Sequence, residues 1–468
     1  MRLDPDRLLP SDPATRAIAR RLYERVAGLA IISPHGHVDA ALLADNQAFA
    51  DPAELLIRRD HYVTRLIHAA GVPLEQLGVS ERAGGSIGVS PREVWRTFCE
   101  HWYLFAGTAS GYWLTAGLVE LFGIDLDPCA ENSDRLFDTI QEALASPEFR
   151  PRALFERFAI EVLATTDDPL DDLGAHAALA ADPSFAGRVI PTFRPDAYLQ
   201  PLAPGWADRV ARLTESSGSG ASSYRDYLDA LADRRRYFVA HGAVSADHAM
   251  VQPLSVELSQ SDAAALFTRG LAGELSAAEA AVFSGHMLTE MARMSVEDGL
   301  VMTLHPGVYR NHSSDAFARF GPDTGHDIPL ATSYVEELRP LLERYGENPD
   351  FHLVLFTVDE TTFSREIAPL AGFYPSVYIG APWWFLDAPD AILRFRAAVT
   401  ETAGFYRGAG FVDDTRAFLS IPARHDTSRR LDSAFLARLV REGRLELEAA
   451  ERIAVDLVDT LPRKVFKL

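Results

Sequence analysis

The feature that most constrains this chain is a recurrence. A short apolar run of four to seven residues ends in polar or ionisable residues and gives way to a helical pattern, and this happens eight times. The runs are Leu29–Ile32 before Ser33-Pro34-His35-Gly36-His37, Ile160–Ala164 before Thr165-Thr166-Asp167-Asp168, Val189–Phe193 before Arg194, and Ala243–Ala246 before Asp247-His248. The second half adds Leu300–Leu304 before His305, His352–Val358 before Asp359-Glu360, Ser376–Ile379 before Trp383-Trp384, and Gly410–Val412 before Asp413-Asp414-Thr415-Arg416. Continuous apolar runs suit strands buried on both faces, as in a parallel sheet covered by helices. Eight strand-then-helix units predict an α/β fold, a (β/α)8 barrel whose site lies where the strands end. Residues 1–468 then form a single barrel domain. The long, mostly helical stretch at about 40–158, with proline starts at Pro91 and Pro151, is an insertion between the first and second strands.

Charge narrows the partners. Lys+Arg number 45 against Asp+Glu 66, a net charge of −21, and phosphate backbones or anionic lipid need a basic face instead. No nucleic-acid or membrane partner is expected. The triplet Arg234-Arg235-Arg236 reads as a solvated helix face, and the Ser/Gly-rich stretch 216–223 as a flexible loop before a helix at Tyr224. Two cysteines, Cys99 and Cys129, make neither a zinc knuckle nor a disulfide framework, which points to a reducing compartment. The acidic, proline-bearing start lacks the order of a signal peptide, so a cytoplasmic location is expected. The uncharged stretches 101–119 and 367–386 carry too many polar residues or prolines to span a membrane.

Several run ends carry chemistry. His35 and His37, two apart on a strand, face one side and can reach one cation, with Gly36 leaving room. In a closed barrel His305 and Asp414 face the same opening, and two or three His with a carboxylate suit catalytic Zn2+ or Mn2+. Arg194 and Arg416 bring positive charge to that mouth, as an anionic substrate would need against the global field; pairing with Asp196 or Asp413 is the alternative. His61-Tyr62 opens an apolar helical stretch and could handle protons. Trp383-Trp384-Phe385 could floor a sugar site or belong to core or interface, and exposed tryptophans with an acidic surface would permit a homo-oligomer.

Together these segments resemble the uronate isomerase family of the amidohydrolase superfamily. The resemblance rests on Asp60-His61-Tyr62, Thr165-Thr166-Asp167-Asp168-Pro169, Pro191-Thr192-Phe193-Arg194-Pro195-Asp196, Gly321-Pro322-Asp323-Thr324-Gly325, Trp383-Trp384-Phe385 and Asp414-Thr415-Arg416-Ala417-Phe418, followed by Arg424-His425 and Arg429-Arg430. It implies a distorted (β/α)8 barrel that interconverts an aldohexuronate and its ketohexuronate, D-glucuronate with D-fructuronate or D-galacturonate with D-tagaturonate. It implies one divalent metal, Zn2+ with Mn2+ as alternative, on His35, His37 and Asp414, with His305 a further ligand or neighbour. Arg194 would grip the substrate carboxylate. His61, Tyr62 and Arg416 would line the reacting end, with Asp414 or Tyr62 as base. The family's first-strand segment Asp-Tyr-His-Cys-His is here Ser33-Pro34-His35-Gly36-His37, and its His-Trp-Thr-His segment is Tyr112-Trp113-Leu114-Thr115. These departures spare the metal histidines and bear on substrate identity.

Two other readings follow from the same residues. A metal-dependent hydrolase of a sugar-acid lactone or related ester would use the same barrel to activate water. A carbohydrate-binding protein without turnover would bind sugar after metal removal.

Overall fold

The computed structural model describes residues 1–82, 84, 88–218 and 223–468. Among the described residues there are ten strands: β1 (Ile31–Ser33), β2 (Ile160–Ala164), β3 (Arg188–Ile190), β4 (Thr192–Phe193), β5 (Ser245–Met250), β6 (Val301–Pro306), β7 (Val308–Tyr309), β8 (Ile328–Pro329), β9 (Leu353–Leu355) and β10 (Val377–Ile379). All barrel pairs are parallel. One sheet runs β1-β2-β3 and the other β4-β5-β6-β9-β10. Pro191, which has no N–H to give a ladder, separates β3 from β4 and so divides the two sheets.

Seven of the eight apolar runs carry these barrel strands. The fourth run falls only on the start of β5, which continues through Asp247 and His248 and pairs with β6 over six residues. The eighth run, 410–412, forms no strand, and this corrects the expectation of eight. Its neighbourhood makes one isolated bridge, Gly408 with Ile379. Gly410 adopts φ +81°, a left-handed turn that stops the extended chain from continuing a ladder. Across the seam to the first strand, His37 N–H donates to the Thr415 carbonyl at 3.0 Å. The barrel is thus open-laddered where the first and eighth positions meet.

Between β1 and β2 come the helices Ala40–Asp45, His61–Ala69, Pro91–Glu100, Ala109–Glu120, Ser133–Leu144 and Pro151–Arg157. Pro91 opens its helix behind a Ser90/Glu93 capping box, and Pro151 opens another. Trp95, Phe98, Phe105 and Ile140 are buried among these helices, continuous with Ile31 and Leu163 of the barrel. Ile32 of β1, Val162 and Ala164 of β2 and Ile190 of β3 form a small buried cluster against which Leu468 packs.

Two sequence expectations change. Arg235 is not solvated: it is 0% exposed, and its Nε donates to Asp298 Oδ2 at 2.6 Å while Nη2 reaches Ser295 Oγ at 2.9 Å. Asp298 sits on the helix Ala277–Asp298, so a partner 63 residues away turned a surface pattern inward. The tryptophans are not exposed either. Trp383 and Trp384 are buried, so the oligomer expectation loses that support. The helix does begin at Tyr224, while 219–222 of the preceding Ser/Gly stretch lie outside the described residues. Among the described residues no helix is long and apolar enough to cross a membrane.

Candidate active site

A cavity of about 660 Å3 opens where the strands end, and it is lined by His35, His37, His61, Tyr62, Arg194, His305, Trp383, Trp384, Asp414 and Arg416. The mouth therefore gathers these ten nominated residues, while Phe385, named with the two tryptophans, does not line it. Each arrives from a different place. His35 and His37 follow β1, Arg194 follows β4, His305 lies in β6, the tryptophans follow β10, and Asp414 and Arg416 follow the eighth position. His61 and Tyr62 form the first turn of the helix His61–Ala69, whose N-cap Asp60 accepts from Tyr62 N–H at 2.9 Å. That cap fixes both side chains toward the opening.

His35 Nε2 and His37 Nε2 lie 3.3 and 3.0 Å from one oxygen, Asp414 Oδ1. The two imidazoles meet edge-on at 5.4 Å between centroids, so their nitrogens converge without stacking. His35 and Asp414 are buried or nearly so, and the short contacts of His35 Nε2 and Asp414 Oδ1 lack the alignment of a hydrogen bond, so these atoms face one another as ion-pair partners do. Buried polar atoms without aligned hydrogen bonds cost several kcal/mol unless something else binds them (about 1–3 each from mutational data). Two imidazoles and a carboxylate, all donor atoms within 4.8 Å of one another, fit a divalent cation with an open position. Asp414 holds φ +42°, a conformation that non-glycine residues rarely take outside functional sites. Burial alone would raise its pKa, but the two histidines outweigh burial and hold it well below the usual carboxylate range.

His305 stacks on His35 at 4.7 Å and presents Nδ1 to Asp247 Oδ1 at 2.6 Å. Asp247 is the residue that sequence reasoning left out of the site. It also accepts from Thr303 Oγ1 at 2.6 Å and meets Arg194 Nη1 at 3.4 Å. With His35 and His305 it makes a second close group of candidate ligands. Its signal was available, since Asp247 ends the fourth run, but the strand running past it hid its direction.

The arginines are paired, as the alternative reading allowed, yet they still face the cavity. Arg194 Nε donates to Asp196 Oδ2 at 2.8 Å. Arg416 pairs with Asp323 at 3.0 Å, not with Asp413, and Arg310 pairs with Asp327 at 2.9 Å. Arg310 also lies 4.7 Å over the Trp384 ring, and Trp384 itself adopts φ +51°. Burial followed by the Arg416 charge pushes His61 down to about 4, while burial pushes the Tyr62 hydroxyl far above its ordinary value. His61 is therefore neutral and Tyr62 holds its proton. Behind Tyr62, Arg424 lies 3.7 Å from the Trp113 ring centre, and its Nη1 donates to Asp387 Oδ2 at 2.7 Å.

Comparison with known proteins identifies the family. A family model described as glucuronate isomerase matches residues 13–464. A uronate isomerase of Corynebacterium efficiens is 55% identical over 465 residues, 99% of this chain and 98% of that protein. The crystal structure of a glucuronate isomerase from Caulobacter crescentus superposes with a TM-score of 0.97 at 48% identity, covering 100% of this chain and 97% of its own. A uronate isomerase structure from Thermotoga maritima does so with a TM-score of 0.93 at 28% identity, over 100% of both chains.

Proposed function

The chain belongs to the glucuronate isomerase family, and from that premise we propose that its cavity interconverts an aldohexuronate and its ketohexuronate, D-glucuronate with D-fructuronate or D-galacturonate with D-tagaturonate. The observation that carries the reading is the convergence of His35, His37 and Asp414 with Arg194 and Arg416 in one cavity. Residues 1–468 act as one domain in this reading, with 40–158 as an insertion that delivers His61 and Tyr62. The free cysteines suit a reducing compartment, and we place the reaction in the cytoplasm.

A divalent cation held by His35, His37 and Asp414, with His305 beside them, would supply Lewis-acid stabilisation for charge on the substrate oxygens; Zn2+ is the ion we propose and Mn2+ the alternative. The chain's own groups do the rest. Arg194 clamps the substrate carboxylate and so presents C2 in one orientation. The C2 proton leaves to a base, the C1–C2 enediolate forms, and the proton is returned at C1 as the carbonyl moves to C2. Asp414 serves as base better than Tyr62, because its carboxylate stays ionised while burial keeps the Tyr62 proton in place. Tyr62 and Arg416 instead donate to the developing oxyanion. Trp383 and Trp384 wall the sugar, and neutral His61 stacks on Tyr62 at 4.7 Å to hold that ring. The hydrolase reading is not favoured, since the likeness to uronate isomerases runs the whole length of the chain.

Proton NMR in D2O with D-glucuronate and D-galacturonate as separate substrates tests this. Loss of the C2 proton signal together with ketouronate formation is expected and identifies the preferred epimer. Asp414→Asn should abolish both signals, whereas Tyr62→Phe should slow them. Absence of exchange with either sugar acid would sink the proposal and return the lactone hydrolase.

A further inference from the structure

The seam between the first and eighth barrel positions contains a polar cradle that the reaction does not use. It surrounds Gly36, between the two metal-site histidines. A side-chain carbon placed on Gly36 would meet three oxygens first: Asp413 Oδ1 at 3.3 Å, the Ala164 carbonyl at 3.5 Å and Ser33 Oγ at 3.6 Å. Ser33 is 0% and Asp413 1% exposed, and neither Ser33 Oγ nor Asp413 Oδ1 has a hydrogen-bond partner. The other Asp413 oxygen is already taken, accepting from His425 Nε2 at 3.0 Å. These three oxygens come from β1, the end of β2 and the eighth position, with β1 adjoining the other two.

We propose that Gly36 maintains a binding position for a single buried water, which donates to Asp413 Oδ1 and the Ala164 carbonyl and accepts from Ser33 Oγ–H. The chemistry selects water. Two acceptors and one hydroxyl match its two donors and its lone pairs, and a buried water makes about three such bonds. Three oxygens are too few for the six to eight that a calcium-sized cation takes. The water acts as a brace. It joins Ser33, two residues before His35, to Asp413, one residue before Asp414, and so complements the His37 N–H to Thr415 carbonyl bond across the open ladder. In this role Ser33, Gly36 and Asp413 are positioning residues for the metal ligands, and the inference rests on the metal reading given above.

Gly36→Ala tests it, because Gly36 does not occupy the left-handed region, and the added methyl takes the water's space while Asp413 Oδ1, 3.3 Å from it, gives way slightly. The Zn2+-loaded protein is expected to show a water within hydrogen-bond distance of all three oxygens in a high-resolution crystal structure, and Gly36→Ala is expected to lack it. The variant should surrender Zn2+ to a chromogenic chelator about tenfold faster, the scale of outer-sphere effects on metal sites. Ser33→Ala, which removes one arm only, should release it at an intermediate rate with an unchanged circular-dichroism spectrum. A dry cradle in the parent structure, or equal Zn2+ release from parent and Gly36→Ala, overturns the brace. A parent protein that takes up no divalent ion overturns the metal reading instead, and the crystal structure still decides the water.

Discussion

At the scale of single residues, the chain separates groups that burial keeps neutral from buried charges that a partner holds. His61 belongs to the first kind. Its pKa of about 4 lies below the ordinary 6.5 because burial and then Arg416 disfavour its cation. Above pH 6.5 the ring is neutral folded or unfolded. As pH falls from 6.5 toward 4 the unfolded ring takes a proton that the folded ring refuses, so stability declines through that window. An NMR titration of the His61 ring should give a midpoint near 4, and Arg416→Met should move it upward. A midpoint at 6.5 in the parent would contradict the burial of this ring. Arg235 belongs to the second kind. Asp298→Ala strands its guanidinium and should cost about 3–5 kcal/mol in chemical denaturation, with turnover unchanged because the pair lies away from the cavity. The triplet 234–236 could not reveal this, since the deciding partner lies on another helix and no local periodicity encodes it.

At the scale of elements, run-then-helix periodicity was enough to read seven strand positions, and the ionisable run ends were enough to bring His35, His37, Arg194, His305 and Asp414 to one mouth. What it missed has physical causes. The eighth run is apolar but contains Gly410 in a left-handed conformation, which a hydropathy pattern does not register. The two-residue strands β7 and β8 are too short to show alternation, yet they frame the segment carrying Arg310 and Asp323. Asp247 was visible as a run end but not as a site residue, because β5 continues beyond it. The helix His61–Ala69 offers a test at this scale. Asp60→Ala removes its N-cap and should cost about 1 kcal/mol of stability. Turnover should fall by more than that stability loss suggests, because Tyr62 and His61 lose their fixed entry, and Asp60→Asn, which can still cap, should restore most of it. Equal turnover in Asp60→Ala and the parent would show that the cap does not govern their presentation.

At the scale of the whole molecule, the barrel is laddered from β1 to β10, with an interruption at Pro191, but at its seam it relies on few backbone links. The proposed ligands lie on both sides of that seam, His35 and His37 on one and Asp414 on the other. Chelation should therefore act on structure as well as turnover. An ion present at a thousand times its dissociation constant contributes about 4 kcal/mol to the folded state. Stripping it should lower the Tm and raise hydrogen–deuterium exchange in residues 31–37 and 408–418 while β5 and β6 keep their protection. Uniform exchange across the barrel would place the ion's contribution elsewhere.

The paired arginines of the cavity have a further consequence. Arg194, Arg310 and Arg416 each hold an internal carboxylate. An arriving uronate is thus a competitor in an anion swap, taking over a seat that Asp196 or Asp323 occupies, and the net charge of the pocket changes by a single unit in an already crowded field. Such a swap releases little net counter-ion from solution. Affinity for the sugar acid should then stay nearly flat as salt is raised, even though the molecule as a whole carries a net charge of −21.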